Sequence, residues 1–259
     1  MPMSDSLIVE RPSSDITVLR INRPQVRNAL NLDVRTRLAD EVTRCGAENA
    51  IRCVIVTGSD AAFAAGADIG EMADAGPVEV MSRNVQKYWR TIMDCPKPLI
   101  AAVEGFALGG GLELALCTDI IVAGESAKLG LPEVKVGILP GGGGTQKLAR
   151  LIGRHRAMLL IMTGRMFGAA EALSMGVISE VAPSGQALSR AVEIAREIAA
   201  MPPISVMQIK EIVNAGVNAP LETALMLERK AFQLQFATRD QKEGMRAFLE
   251  KRKPKFEGQ

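Results

Sequence analysis

The sequence predicts an α/β fold followed by an all-helical C-terminal region, and three observations carry that reading. Apolar runs of strand length alternate with stretches of helical periodicity as far as about residue 181. Strand signals then stop at Pro183-Ser184-Gly185. From about Gln186 onward the apolar residues recur at helical spacing. With 259 residues, 47% of them hydrophobic, the chain can bury a substantial core and does not read as disordered.

Taken in order, residues 15–21 (DITVLRI) alternate as a half-buried strand does, and Asn22-Arg23-Pro24 ends them with turn chemistry. Apolar residues at helical spacing over 30–47 predict a helix, and 52–57 (RCVIVT) a strand closed by Gly58-Ser59-Asp60. The order repeats: a helix over 78–93, a strand over 98–103, a helix over 110–117 and a strand over 119–123. A short strand follows at 178–181. Met201-Pro202-Pro203 breaks the helical region, and the amphipathic helices beyond it carry more apolar surface than their own turns can cover.

Charge excludes some functions. Lys and Arg number 31 against 29 Asp and Glu, a net charge of +2, so no strong field favours nucleic acid or a membrane surface. Cys45, Cys53, Cys95 and Cys117 stand far apart with no C-x-x-C pair, which predicts reduced, buried thiols and no metal site. The N-terminal segment lacks a basic region followed by a long apolar run, and no apolar stretch has bilayer length. These features predict a cytoplasmic protein.

The one histidine, His155, lies in a basic helical turn, without a second histidine or a G-x-S-x-G motif, and reads as a surface residue. The glycine runs 109–111 and 141–144 fit neither the G-x-x-x-x-G-K-[ST] nor the G-x-G-x-x-G phosphate loop. Glycines do let a ligand approach backbone N–H groups, and 109–111 open a predicted helix whose first donors are unpaired. The small-residue stretch 63–68 leaves backbone free in the same way, so two loops can supply a two-donor oxyanion site. Glu113, in an apolar run, and Glu133, in Leu131-Pro132-Glu133-Val134, are the candidate acid and base, because desolvation raises a carboxyl pKa toward useful values. Each also has a structural reading, as a helix-dipole partner or a loop cap.

These residues resemble the crotonase, or enoyl-CoA hydratase/isomerase, family nearly end to end. The resemblance runs through Asn22-Arg23-Pro24 with Asn28-Ala29-Leu30, FAAGADIGEM at 63–72, KPLIAAVEGFALGGGLELALCTD at 97–119 and LPEVKVGILPGGGGTQKLARLIG at 131–153. It implies a crotonase-like spiral of repeated β-β-α units over residues 1–200, with a helical trimerisation region over 201–259. By the same resemblance the oxyanion hole falls on the backbone N–H groups of Ala67 and Gly110, and the catalytic pair on Glu113, which would orient and help deprotonate the water, and Glu133, which would supply the proton that reaches C2. Coenzyme A is expected along Ala65, Ala67, Asp68, Ile69 and Gly70, with Phe232 and Lys251 reaching it from a neighbouring subunit. Met72, Trp89 and Gly141 are expected to line the acyl pocket.

The implied activity is syn addition of water across C2 and C3 of a trans-2-enoyl-CoA, with coenzyme A as part of the substrate and no separate cofactor. The partners implied are the acyl-CoA thioester and further copies of the chain in a homotrimer or homohexamer, with neither nucleic acid nor membrane. Gly70 stands where many relatives have lysine, and Leu112 where many have cysteine. The alternatives are an enoyl-CoA isomerase, a hydratase of a specialised acyl group (crotonobetainyl, dehydroadipyl or aromatic), and an RNA-binding homologue. Two glutamates favour hydration, and near-neutral charge disfavours RNA.

Overall fold

The computed structural model describes residues 5–259. Leu7–Ser13 (β1) pairs antiparallel with Ile16–Ile21 (β2). Then come Leu32–Ala47 (α1), Cys53–Thr57 (β3), Ala62–Ala64 (β4), Pro77–Arg83 (α2), Gln86–Met93 (α3), Leu99–Val103 (β5), Phe106–Leu108 (β6) and Gly110–Ala115 (α4). Ile120–Gly124 (β7), Lys128–Gly130 (β8), Gly144–Ile152 (α5), Arg154–Thr163 (α6), Phe167–Gly168 (β9), Ala169–Ser174 (α7) and Glu180–Ala182 (β10) complete the body. The chain ends in Ala187–Ala199 (α8), Pro203–Gly216 (α9), Leu221–Gln235 (α10) and Arg239–Leu249 (α11).

Two sheets result. The larger has the order β1-β2-β3-β5-β7-β10 and is parallel from β2 onward; the smaller has the order β4-β6-β8-β9. β3 leads into β4, β5 into β6 and β7 into β8, so each turn of the chain adds one strand to each sheet. This is the expected spiral of β-β-α units.

Strand alternation sorts the core into two layers. Val54, Val56, Leu99, Ala101 and Val103 face the main core, which α1 and α4 close. Cys53, Ile55, Ile100, Ala102 and Val122 face the other way, onto Ala187, Ala191 and Ala195 of α8. Alanine at every fourth position gives α8 a smooth face, so it lies close against the sheet. With both faces covered, these strands are buried throughout, as β3 and β5 are at every residue.

The structure corrects the sequence reading in several places. β1 went unread because it is an edge strand in which only Leu7 is buried and Glu10, Arg11 and Pro12 interrupt the alternation. The helix expected over 78–93 is two helices, since Asn84 adopts a left-handed conformation (φ 42°) that closes α2. The strands of the smaller sheet, only two or three residues long, are too short to show a period. The chain over 144–174, where only a turn at His155 was read, holds α5, α6 and α7.

The C-terminal helices are helical as expected. α9 is fixed to the body by Lys210, whose Nζ lies 2.8 Å from Asp119 Oδ2 and donates to the Lys97 carbonyl at 2.9 Å. Large apolar side chains remain exposed along α9, α10 and α11, among them Ile209, Val213, Leu221, Phe232 and Phe248. The four cysteines are free and buried, and among the described residues no helix is long and apolar enough to cross a membrane.

Candidate active site

The site forms where β6 ends and α4 begins. Gly109 N–H donates to the Gly130 carbonyl at 2.9 Å, and Gly109 turns the chain with φ 50° and ψ −124°, which favours glycine. A Cβ on Gly109 would also stand 3.1 Å from Glu133 Oε1. The turn therefore holds a carboxylate against bare backbone.

The loop after β4 meets this turn. Leu30 N–H donates to the Gly66 carbonyl at 2.8 Å, forming a parallel bridge that aligns Leu30 with Ala67. A Cβ on Gly110 would lie 3.5 Å from Ala67 N. Ala67 N–H and Gly110 N–H have no hydrogen-bond acceptor among the described residues, and Gly110 opens α4, where a helix leaves its donors free. The two oxyanion candidates are thus adjacent and both unpaired.

The Asn22-Arg23-Pro24 and Asn28-Ala29-Leu30 blocks explain why the loop holds its shape. Arg23 Nη1 lies 2.9 Å from Asp68 Oδ2 and donates to the Ala29 carbonyl at 2.6 Å. Buried Asn28 accepts from Arg23 N–H at 2.8 Å and donates to the Ala62 carbonyl at 2.7 Å. Asp68 is thereby committed to an ion pair within the chain. Ala65 and Ala67 are half-buried, and Ile69 and Gly70 are exposed.

Glu113 sits in the first turn of α4, 3% exposed. Its Oε1 accepts from Gly142 N–H at 2.7 Å and Gly144 N–H at 2.8 Å. The four-glycine run is therefore a cradle for a carboxylate. A Cβ on Gly142 would come within 2.2 Å of Trp89 Nε1 and 2.6 Å of Glu113 Oε2. Burial pushes the Glu113 pKa up, while the two backbone donors, then Lys147 and Arg35, pull against it.

Glu133 opens a short 3-10 turn, Glu133–Val136. Its Oε2 is sealed from solvent with no hydrogen-bond partner, and burial, with some help from the Glu113 charge, raises its pKa to about 7. The two carboxylates consequently differ. Glu113 has donors that favour its charged form, whereas Glu133 is about half protonated near neutrality.

The remaining candidates divide. Trp89, 3% exposed, lies beside Glu113 with its Nε1–H unpartnered, and Met72 is half-buried at the end of the 69–71 turn. Gly141 is exposed, with nothing within 4 Å of a built Cβ; its neighbour Gly142 is the residue that faces Trp89 and Glu113. Phe232, stacked edge-on against Phe236, and Lys251 are exposed in the C-terminal region, outside this cluster. Sequence reasoning missed the donors on Gly142 and Gly144, the Arg23–Asp68 clamp, and buried Arg35 over the Trp89 ring. Of these, the glycine run and the Asn22-Arg23-Pro24 block stood out in the sequence, neither with this role.

The chain is similar to known proteins over nearly its whole length. The family model described as enoyl-CoA hydratase/isomerase matches residues 11–259. The crotonyl-CoA hydratase of Syntrophomonas wolfei is 43% identical over 255 residues, covering 97% of this chain and 98% of that one. The 2,3-dehydroadipyl-CoA hydratase of Escherichia coli is 39% identical over 252 residues, with 97% and 98% covered. Among solved structures, an enoyl-CoA hydratase subunit of Geobacillus kaustophilus superposes with a TM-score of 0.95 at 40% identity, covering 98% of each chain. With matches of this length, over a fold and a two-carboxylate site built as described, the chain belongs to the enoyl-CoA hydratase/isomerase family and is an enzyme of that family.

Proposed function

We propose that the protein hydrates a trans-2-enoyl-CoA to the 3-hydroxyacyl-CoA. The observation that carries this reading is the unequal carboxylate pair beside two unpaired backbone donors. The thioester oxygen would accept from Ala67 N–H and Gly110 N–H, with a water between Glu113 and Glu133. The water oxygen bonds to C3 as the C2–C3 π pair moves into the enolate, and Glu113 takes the proton that the water loses. The enolate pair then takes a proton from Glu133 at C2. The glutamate pair ends with its proton on the other member, and exchange with water resets it.

Each element has a physical task. Charge develops on the thioester oxygen, and losing one fixed donor there typically costs about 2.7–4 kcal/mol. The cradled Glu113 suits the role of base, and Glu133, about half protonated near neutrality, suits that of acid. The reaction balances with water alone and calls for no cofactor.

Coenzyme A would lie along Ala65 to Gly70. Phe232 and Lys251 would reach it from a neighbouring copy in a trimer or a pair of trimers, a reading supported by the exposed apolar faces of α9 to α11.

Loss of the conjugated thioester's ultraviolet absorbance on mixing with crotonyl-CoA tests the activity, beside Glu113→Gln and Glu133→Gln. Rapid loss that both substitutions lower by about 10²–10⁴-fold is expected. Absorbance loss without incorporation of oxygen from labelled water would identify an isomerase instead.

A further inference from the structure

A cavity separate from the active site opens at the other end of the larger sheet. Arg52, just before β3, and Lys97, just before β5, line one side of it; Ile198 of α8 with Pro203, Val206 and Met207 of α9 line the other. The active site forms beyond the C-terminal ends of the same strands, so the length of the sheet lies between the two. The cavity is open to solvent and has room inside for about one water-sized group.

Two cations meet there without an anion. Lys97 is 7% exposed and Arg52 is half-buried, and neither side chain makes a hydrogen bond or an ion pair among the described residues. Lys97 Nζ, unlike Glu133 Oε2, is not sealed from solvent. Burial, then the Arg52 charge, pushes the Lys97 pKa down, and no carboxylate opposes them. The carboxylates on adjoining segments are engaged elsewhere. Asp119 Oδ2 takes Lys210 Nζ at 2.8 Å and Leu99 N–H at 2.8 Å, and Asp15 Oδ1 accepts from Ser13 Oγ at 2.5 Å.

The start of α9 adds to the positive field. A Cβ on Gly258 would stand 2.9 Å from Pro203 Cγ and 3.5 Å from Arg52 Nη1, which puts the guanidinium beside the first residue of α9. A helix leaves its first N–H groups unpaired and carries the positive end of its dipole there. An ammonium, a guanidinium and a helix N-terminus around one open cavity repel each other, and an anion among them turns that repulsion into attraction.

We propose that this cavity binds a small oxyanion, the carboxylate or phosphate group of a small molecule, with one oxygen entering between Lys97 and Arg52. The planar guanidinium can take two oxygens in parallel, and the ammonium acts as a point charge. Ile198, Val206 and Met207 offer an apolar stem a surface to lie on. Lys210 of α9 already holds the Lys97 carbonyl at 2.9 Å, so a bound anion ties α9 to the body at a second point.

Titration calorimetry with sodium hexanoate and with sodium phosphate tests this, each in chloride buffer of constant ionic strength with hexanoyl-CoA present to fill the thioester site. One site per chain is expected for at least one of the two anions, weakened at least about tenfold by Arg52→Met and by Lys97→Met. Tighter binding of hexanoate would assign a carboxylate on an apolar stem, and tighter binding of phosphate a phosphate group. The same anion should raise the melting temperature of the wild type and leave that of Lys97→Met unchanged. Cooperative melting shows that each variant is folded, and Arg52→Met carries the test if Lys97→Met does not fold. No saturable heat with either anion in the wild type, or an affinity that Arg52→Met leaves unchanged, would overturn the inference.

Discussion

Adding one methyl group at two adjacent glycines should have opposite consequences. At Gly142 a Cβ would stand 2.2 Å from Trp89 Nε1, 2.6 Å from Glu113 Oε2 and 2.8 Å from Trp89 Cδ1; at Gly141 it would meet nothing within 4 Å. Ordinary contact begins near 3.4 Å, so Gly142→Ala forces the indole or the carboxylate to move by about 1 Å. Overpacking of this kind costs about 1–3 kcal/mol, or roughly 2–10 °C in melting temperature for a chain of this size. The same shift pulls Glu113 Oε1 away from Gly142 N–H, its 2.7 Å donor, and a 1 Å misplacement of a catalytic group lowers kcat by about 10²-fold. The assay is crotonyl-CoA hydration with a thermal melt of each variant, and Gly141→Ala should match the wild type in both. If Gly142→Ala keeps kcat within twofold, or if both variants fall together, the glycine run does not position Glu113 and the reasoning fails.

Three further outcomes follow from the same geometry. Glu133 carries a folded-state pKa raised from 4.5 to about 7, so the folded protein binds the extra proton between those values; stability contributed by that proton is lost as pH rises through the window. Glu133→Gln should therefore melt above the wild type at pH 8 and lose that advantage by pH 4, and melts at the two pH values check it. Asp68→Asn breaks the ion pair with half-buried Arg23 and loosens the 65–70 loop, so KM for crotonyl-CoA should rise several-fold more than kcat falls; equal changes in both would count against a loop-positioning role. Lys210→Met removes the cation beside Asp119, whose Oδ2 keeps only the Leu99 N–H at 2.8 Å, and frees the Lys97 carbonyl, at a cost of about 1.5–3 kcal/mol by denaturant titration, and an unchanged midpoint would show that α9 is held otherwise.

The sequence revealed the parts of the fold whose side chains repeat with a period long enough to be seen. β3 and β5 are five-residue apolar runs bounded by turn residues, and α1 shows apolar residues at helical spacing; its cap, Asn31, which accepts from Val34 N–H at 3.0 Å, emerged only in the structure. The smaller sheet stayed hidden because Ala62–Ala64 and Phe106–Leu108 are three residues each, and pairing with distant segments, rather than their own composition, makes them strands. The break at Asn84 was hidden for a related reason. Apolar spacing continues across it, and only one residue's left-handed backbone divides the helix.

In the site, local sequence pattern identified both carboxylates without telling them apart, and only the family resemblance assigned one to the water and the other to the C2 proton. Glu113 and Glu133 each appear as an acidic residue in an apolar frame, and local pattern assigns them the same desolvation. What separates them is remote in sequence: the donors to Glu113 come from Gly142 and Gly144, whose N–H groups no other acceptor claims, while Glu133 Oε2 meets none. Those donors can reach Glu113 only because residues 142 and 144 have no Cβ, since one at Gly144 would lie 3.0 Å from Glu113 Oε1 and 2.9 Å from Leu131 Cδ1. The glycine run thus determines which carboxylate holds its charge. The difference between acid and base is written in residues that carry no side chain, and it becomes visible only once α4 and α5 are brought together.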